Sequence, residues 1–159
     1  MNLTFHLLLH VIISALIAAA IYTRYRKLIP IIAGVLLGGV FVDLDHLIDY
    51  FLAFGTSFNL NYFLKGYEFL KSDKIYVLFH AWEWVALLLI ISMFFKKRVV
   101  WKILIIAVAL GLAGHLYIDT FTNQVRPQGY FITYRTLNRF YIRPLVTPEH
   151  WIEHQKRRK

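Results

Sequence analysis

The chain has no cysteine, so disulfides and thiolate metal sites are excluded and any metal would have to be held by imidazole and carboxylate. Acid is scarce as well, with 9 Asp and Glu against 18 Lys and Arg. No Asp or Glu occurs before Asp43, and none between Trp84 and Ile118. Of the four prolines, three lie beyond residue 120, where they punctuate a polar, aromatic tail. What fills the sequence is apolar: 58% hydrophobic and 17% aromatic residues, 17% charged, mean hydropathy +0.54. A soluble surface does not carry that much apolar character, so a membrane protein is the expected class. The 159 residues suit one domain.

The net charge of +9 sits in short clusters beside apolar runs and in Lys156, Arg157, Arg158 and Lys159. Contact with anionic lipid headgroups accounts for that pattern, and a nucleic-acid partner is not expected. No cleavable leader is expected, because no Lys or Arg and no small-residue cleavage site precedes Tyr22-Thr23-Arg24.

Apolar runs fall at about 3–23, 28–44, 76–95 and 99–118, each near the roughly 20 residues that cross a bilayer. Backbone groups in lipid must pair internally, so all four are expected as helices. The linkers Thr23–Lys27 and Lys96–Arg98 are short and basic, which makes each pair an antiparallel hairpin. The expected fold is all-α: an integral membrane four-helix bundle of two hairpins over 1–120, with 121–159 as a basic, aromatic tail at the membrane interface. A piece around Asn59–Lys71 reads as an amphipathic segment lying on the membrane surface.

The ionisable residues are placed at one end of these runs. His6 and His10 begin the first, and Asp43, Asp45, His46 and Asp49 close the second. His80 and Glu83 open the third, and His115 and Asp119 close the fourth. Counting back from residue 25 sets His6 level with Asp45; counting from residue 97 sets His80 level with His115. Spacings of three and four residues (His6/His10, Asp43/His46, Asp45/Asp49, His80/Glu83, His115/Asp119) put each pair on one side of a helix. Imidazole and carboxylate together suit Zn, and also Mn or Fe, with room for two or more ions. A cation would also relieve the repulsion among crowded carboxylates. Read singly, Asp49 is a solvated start of the connection, Glu68 and Asp73 are surface charges, and His150 and His154 are interfacial. Trp82, Trp84, Trp101 and Trp151 are belt residues. Glu83 stands open as ligand, outer partner of His80 or proton acceptor.

Asp43-Leu44-Asp45-His46, a histidine opening a later span, and His115-Leu-Tyr-Ile-Asp119 resemble the DxDH…H…HxxxD pattern of the YdjM-like membrane-bound metal-dependent hydrolases. The resemblance covers most of residues 6–120. It implies a distant relationship to the zinc-dependent phospholipase C and P1 nuclease group. By position it implies His6, His10, Asp43, Asp45, His46, His80, His115 and Asp119 as metal ligands. Where relatives carry an H-R-x-x-T-H stretch, this chain reads His80-Ala-Trp-Glu83, and no proline precedes Asp43; the first departure bears on the number of metals.

The expected activity is metal-assisted hydrolysis of a lipid or lipid-linked phosphoester, with Asp45 or Glu83 taking the proton of the attacking water. Arg126 and Arg135 are candidate phosphate contacts, with headgroup contact as the plainer reading. The rivals are a metal-binding membrane protein without hydrolase activity, either an ion transporter or a structural metal site, and a haem protein. Purely apolar far halves of the runs speak against transport, and the carboxylates speak against haem. Basic short linkers place the site on the extracytoplasmic side of a cell membrane; Lys65, Lys71, Lys74 and the tail pull the other way. Substrate and oligomeric state are not fixed by the sequence.

Overall fold

The computed structural model describes residues 3–158. Among them the chain is all-α, 78% helical, with no strands. Contacts divide it into two compact units, each assembled from two stretches of chain: Met1–Val42 with His80–Asn123, and Asp43–Phe79 with Gln124–Lys159.

The first unit contains α1 (Leu3–Tyr25), α2 (Leu28–Gly39), α6 (Trp82–Phe94) and α7 (Val99–Thr122). With 23 and 24 residues, α1 and α7 reach about 35 Å at 1.5 Å per residue, enough to cross a bilayer. The other two are shorter, 12 and 13 residues. The four full spans expected from hydropathy are therefore two. They become three if α2 and the helical stretch Phe41–Phe54 are counted as one broken span. The shortening has local causes. Helix α2 ends at Gly38-Gly39, where Val40 N–H closes on Leu36 O at 3.0 Å. The helix expected from residue 76 starts only at Trp82, because residues before it are committed to the second unit.

Small residues decide how α2 meets α7. A Cβ on Gly34 would stand 2.6 Å from Leu104 O and from Ala107 Cβ, and one on Gly38 would stand 2.1 Å from Val108 O. Gly111 in turn faces Val35 O and Gly39 N. Residue numbers rise together along both helices, so α2 and α7 run parallel with their backbones nearly touching. This is the small-xxx-small packing that lipid-embedded helices use, here Gly34-x-x-x-Gly38 against Ala107-x-x-x-Gly111. Gly114 packs on Ile13 and Ile17, and Gly39 on Ser14, which sets α1 antiparallel to α7. Ile21, Ile31, Val35, Ile103 and Ala107 form the buried core toward the linker end. Outward-facing Leu8, Ile12, Leu16, Ile29, Ile90 and Phe94 are exposed, as lipid-facing residues are.

The second unit holds α3 (His46–Phe54), α4 (Leu60–Leu64), α5 (Tyr67–Ser72), α8 (Ile132–Leu137), α9 (Ile142–Leu145) and α10 (Pro148–Arg158). Tyr50, 1% exposed, is ringed by Phe51, Phe54, Phe58 and Phe63. Its hydroxyl accepts Asn59 N–H at 2.8 Å. The tail pairs with the central connection: Ile75 N–H donates to Phe140 O and Ile142 N–H to Asp73 O, both 2.9 Å. The amphipathic piece is two short helices, parted at Gly66 with φ +64°, where only glycine is unstrained. Asp73 is no free surface charge, for its carboxylate holds His154 Nε2 at 2.8 Å and also pairs with Arg158. His154 is buried by that contact.

Glu68, expected on the surface, is 1% exposed, and its Oε2 is buried without a hydrogen-bond partner among the described residues. Burial, with the Asp49 charge adding to it, pushes the carboxyl up to about 7. Between its ordinary 4.5 and about 7, the folded chain keeps a proton that the unfolded chain has released, so this group's contribution to stability falls across that window as pH rises. Glu68→Gln is expected to match the parent at pH 4 and to gain on the order of 1–2 kcal/mol above pH 7, measured as the difference between thermal melts of the two proteins.

Candidate metal centre

Helix α1 carries His6 and His10 on one face, one turn apart. Helix α7 carries His115 and Asp119 in the same way, and His80 stands just before α6. These five side chains, all in the first unit, converge. His6 Nε2 lies 3.4 Å and His10 Nε2 3.2 Å from Asp119 Oδ1. His115 Nε2 lies 3.4 Å and His80 Nε2 4.0 Å from Asp119 Oδ2. Four imidazole nitrogens thus address one carboxylate, two at each oxygen. Within each pair the nitrogens are also close: 2.9 Å for His6 and His10, 3.1 Å for His80 and His115. The second distance agrees with the level placement expected from the hairpin count.

This donor set fits divalent cations. Donors around a tetrahedral ion with 2.0–2.1 Å bonds are separated by about 3.3–3.4 Å, and the spacings here scatter about that value. His6, His10 and Asp119 form one triad and His80, His115 and Asp119 another, so the Asp119 carboxylate is shared between them. The ring of His115 is oriented from behind. Its Nδ1 stands 3.1 Å from Gly39 O, an acceptor released where α2 ends, so the proton belongs on Nδ1 and the Nε2 lone pair faces the cluster. His10 stacks on His115 with ring centroids 3.9 Å apart, fixing a second imidazole. Asp119, His10, His80 and His115 are all at most 3% exposed. An acid buried this deeply in an apolar helix end needs compensation, which the four imidazoles, and a cation held by them, could supply.

Glu83, on the first turn of α6 and half-buried, joins neither triad. In the second unit, Asp43 and His46 face each other at 3.9 Å, both half-buried. Asp45 and Asp49 are buried, and what they hold is backbone. Asp45 Oδ2 accepts Phe79 N–H at 2.8 Å, while Asp49 accepts Tyr76 N–H at 2.7 Å and Val77 N–H at 2.8 Å. Asp49 is therefore not a solvated start of a connection. Arg126 is exposed and its backbone N–H donates to Leu145 O at 2.8 Å. Arg135 is fully buried, with Nη1 donating to Tyr76 O at 2.7 Å and Val77 O at 2.6 Å. A guanidinium held in that way is not displayed for a phosphate. Sequence spacing did not reveal the Gly39 carbonyl behind His115; the glycine pair ending an apolar run was the available signal.

No family model, curated protein or solved structure matches the chain. The class defined by fold and site is thus a helical protein with two or three membrane-length apolar helices and buried His/Asp clusters able to hold a metal.

Proposed function

We propose that the chain is a membrane-embedded hydrolase whose centre holds two divalent cations, zinc by donor type, with Asp119 shared between them. The observation that carries this reading is the convergence of four imidazole Nε2 atoms, two by two, on the oxygens of a single carboxylate. His6 and His10 would hold one ion, His80 and His115 the other. Such ions, when bound, lower the pKa of water and polarise a phosphoryl oxygen. The protein's own part is to fix the donors, through the Gly39 contact to His115 and the stacking of His10, and to exclude bulk water by burial. Glu83, outside both triads, would take the proton from the attacking water. Asp43 and His46 remain candidate ligands, on the DxDH spacing and on their 3.9 Å approach. A lipid or lipid-linked phosphoester is the substrate class, because the ligands lie at the ends of membrane-length helices, where headgroups reside.

The test is elemental analysis of the purified protein together with assays on an aryl phosphodiester and a dispersed phospholipid, before and after chelation. Two equivalents of zinc and chelator-sensitive hydrolysis are expected. A second reading, a structural metal clip without catalysis, is favoured by the depth of the cluster, with His115 at 0% exposure. Two bound equivalents with no turnover of either ester would leave the clip and remove the hydrolase.

A further inference from the structure

A cleft of about 450 Å³ lies within the second unit, lined in part by Asp73, Tyr141, Ile142, Arg143, Pro144 and Trp151. That is the size of a small-molecule site and more than a bare oxyanion fills. Asp73, the acid in its wall, is already occupied: His154 Nε2 holds Oδ1 at 2.8 Å and Arg158 pairs with Oδ2. The nearby cations are not. Among the described residues Arg143 and Lys74 join no ion pair, and each stands over an aromatic ring of the cleft instead. Arg143 Cζ is 6.0 Å from the centroid of Trp151, and Lys74 Nζ is 5.4 Å from that of Tyr141. A cation steadied by a ring keeps its charge and its N–H groups for an incoming anion. The wall is also fixed in place. Trp151 stacks on the buried His154 with centroids 5.4 Å apart. The turn leading into Tyr141 is strained, with φ +53° at Arg139 and +62° at Phe140, an outlier for so bulky a residue. It is held by Phe140 N–H on Arg135 O at 2.8 Å and Ile75 N–H on Phe140 O at 2.9 Å. Strain of this kind persists where its surroundings over-determine it, often at ligand clamps.

We propose that this cleft binds a phosphate monoester with an apolar body, the phosphate on Arg143 and Lys74 and the body against Trp151, Tyr141 and Pro144. A monoester has three terminal oxygens, so two take the guanidinium fork and the third takes the ammonium. A carboxylate has only two oxygens and cannot satisfy both cations in that way. The site uses no residue of the metal centre and stands whether or not that centre binds zinc. Two sources present the same chemistry, a soluble phosphomonoester and the headgroup of phosphatidic acid.

The test titrates the full chain in non-ionic detergent with phenyl phosphate, benzoate and glycerol phosphate, read by calorimetry. Phenyl phosphate is expected to bind at least about 10-fold more tightly than either of the others. Arg143 is exposed, so Arg143→Gln folds, and it should weaken phenyl phosphate about 10- to 100-fold through loss of the charged hydrogen bonds. Arg139→Gln removes the same charge from an exposed neighbour that does not line the cleft and should bind as the parent does. Trp151→Leu should erase the preference for phenyl phosphate over glycerol phosphate. Parent-like affinity in Arg143→Gln, an equal loss in Arg139→Gln, or benzoate binding as tightly as phenyl phosphate would each overturn the site. Binding at the metal centre would survive Arg143→Gln and so counts against the cleft. The source is read in lipid discs. Weaker phenyl phosphate binding with phosphatidic acid than with phosphatidylglycerol at equal charge assigns the cleft to the lipid headgroup, and equal binding assigns it to a soluble ester.

Discussion

Asp119→Ala is expected to abolish tight zinc binding altogether, not to halve it. Removing any one histidine leaves the opposite triad complete: His6→Ala should retain the ion on His80, His115 and Asp119. Removing Asp119 takes a ligand from both triads at once and leaves each pair of imidazoles without the carboxylate it shares with the other. Asp119→Asn sharpens the point. Its amide has one carbonyl oxygen and one NH2, so whichever way it turns, one imidazole pair meets a donor in place of an acceptor. The expected stoichiometries by elemental analysis are two for the parent, one for His6→Ala, one at weakened affinity for Asp119→Asn, and none for Asp119→Ala. Equal zinc in the parent and in Asp119→Ala would end the shared-carboxylate description.

Gly38→Ala is expected to be the most destabilising single methyl that can be added to the first unit. The new Cβ would meet Val108 O at 2.1 Å and Leu112 N at 2.9 Å. Both are backbone atoms of α7, so no side-chain rotation relieves the overlap, and the helices must separate. Overpacking in ordinary cores costs 1–3 kcal/mol; with backbone on both sides a cost above about 3 kcal/mol is expected. Ala33→Leu, on an exposed position of the same helix, should change stability by no more than about 0.5 kcal/mol. Thermal melts in one detergent compare the two. If Gly38→Ala melts with the parent, α2 and α7 are not packed through that face.

Parts of this arrangement were legible in the sequence because they follow from counting. The level placement of His80 and His115 needs only a hairpin hinge near residue 97 and the rise per residue of a helix. The pairs His6/His10 and His115/Asp119 need only the one-turn spacing. The helical class followed from long apolar runs, although run length overstated helix length at α2 and α6. What counting does not reach is which partner a buried group selects. Asp45 and Asp49 have the same spacing as ligand pairs, yet accept backbone N–H groups, because an irregular segment remote in sequence brings N–H donors that no helix or strand pairs. Arginine in a tail has no local pattern that signals burial, so the sequence offers Arg135 as a phosphate or headgroup contact. Glu68 lies in a stretch with a surface-like composition, and only the packing of α5 among α3, α4 and α10 hides it.

The glycine contact between α2 and α7 carries a thermodynamic signature of its own. Where the outer faces of these helices meet hydrocarbon, parting them exchanges protein neighbours for acyl chains, and little apolar area is handed to water. The large heat-capacity increment that bends the stability curve of a soluble domain arises from that hydration, whereas lipid-embedded association is driven by close packing. Calorimetry of the protein in a bilayer should therefore give a nearly straight dependence of stability on temperature for the separation of this pair, with no cold-side loss.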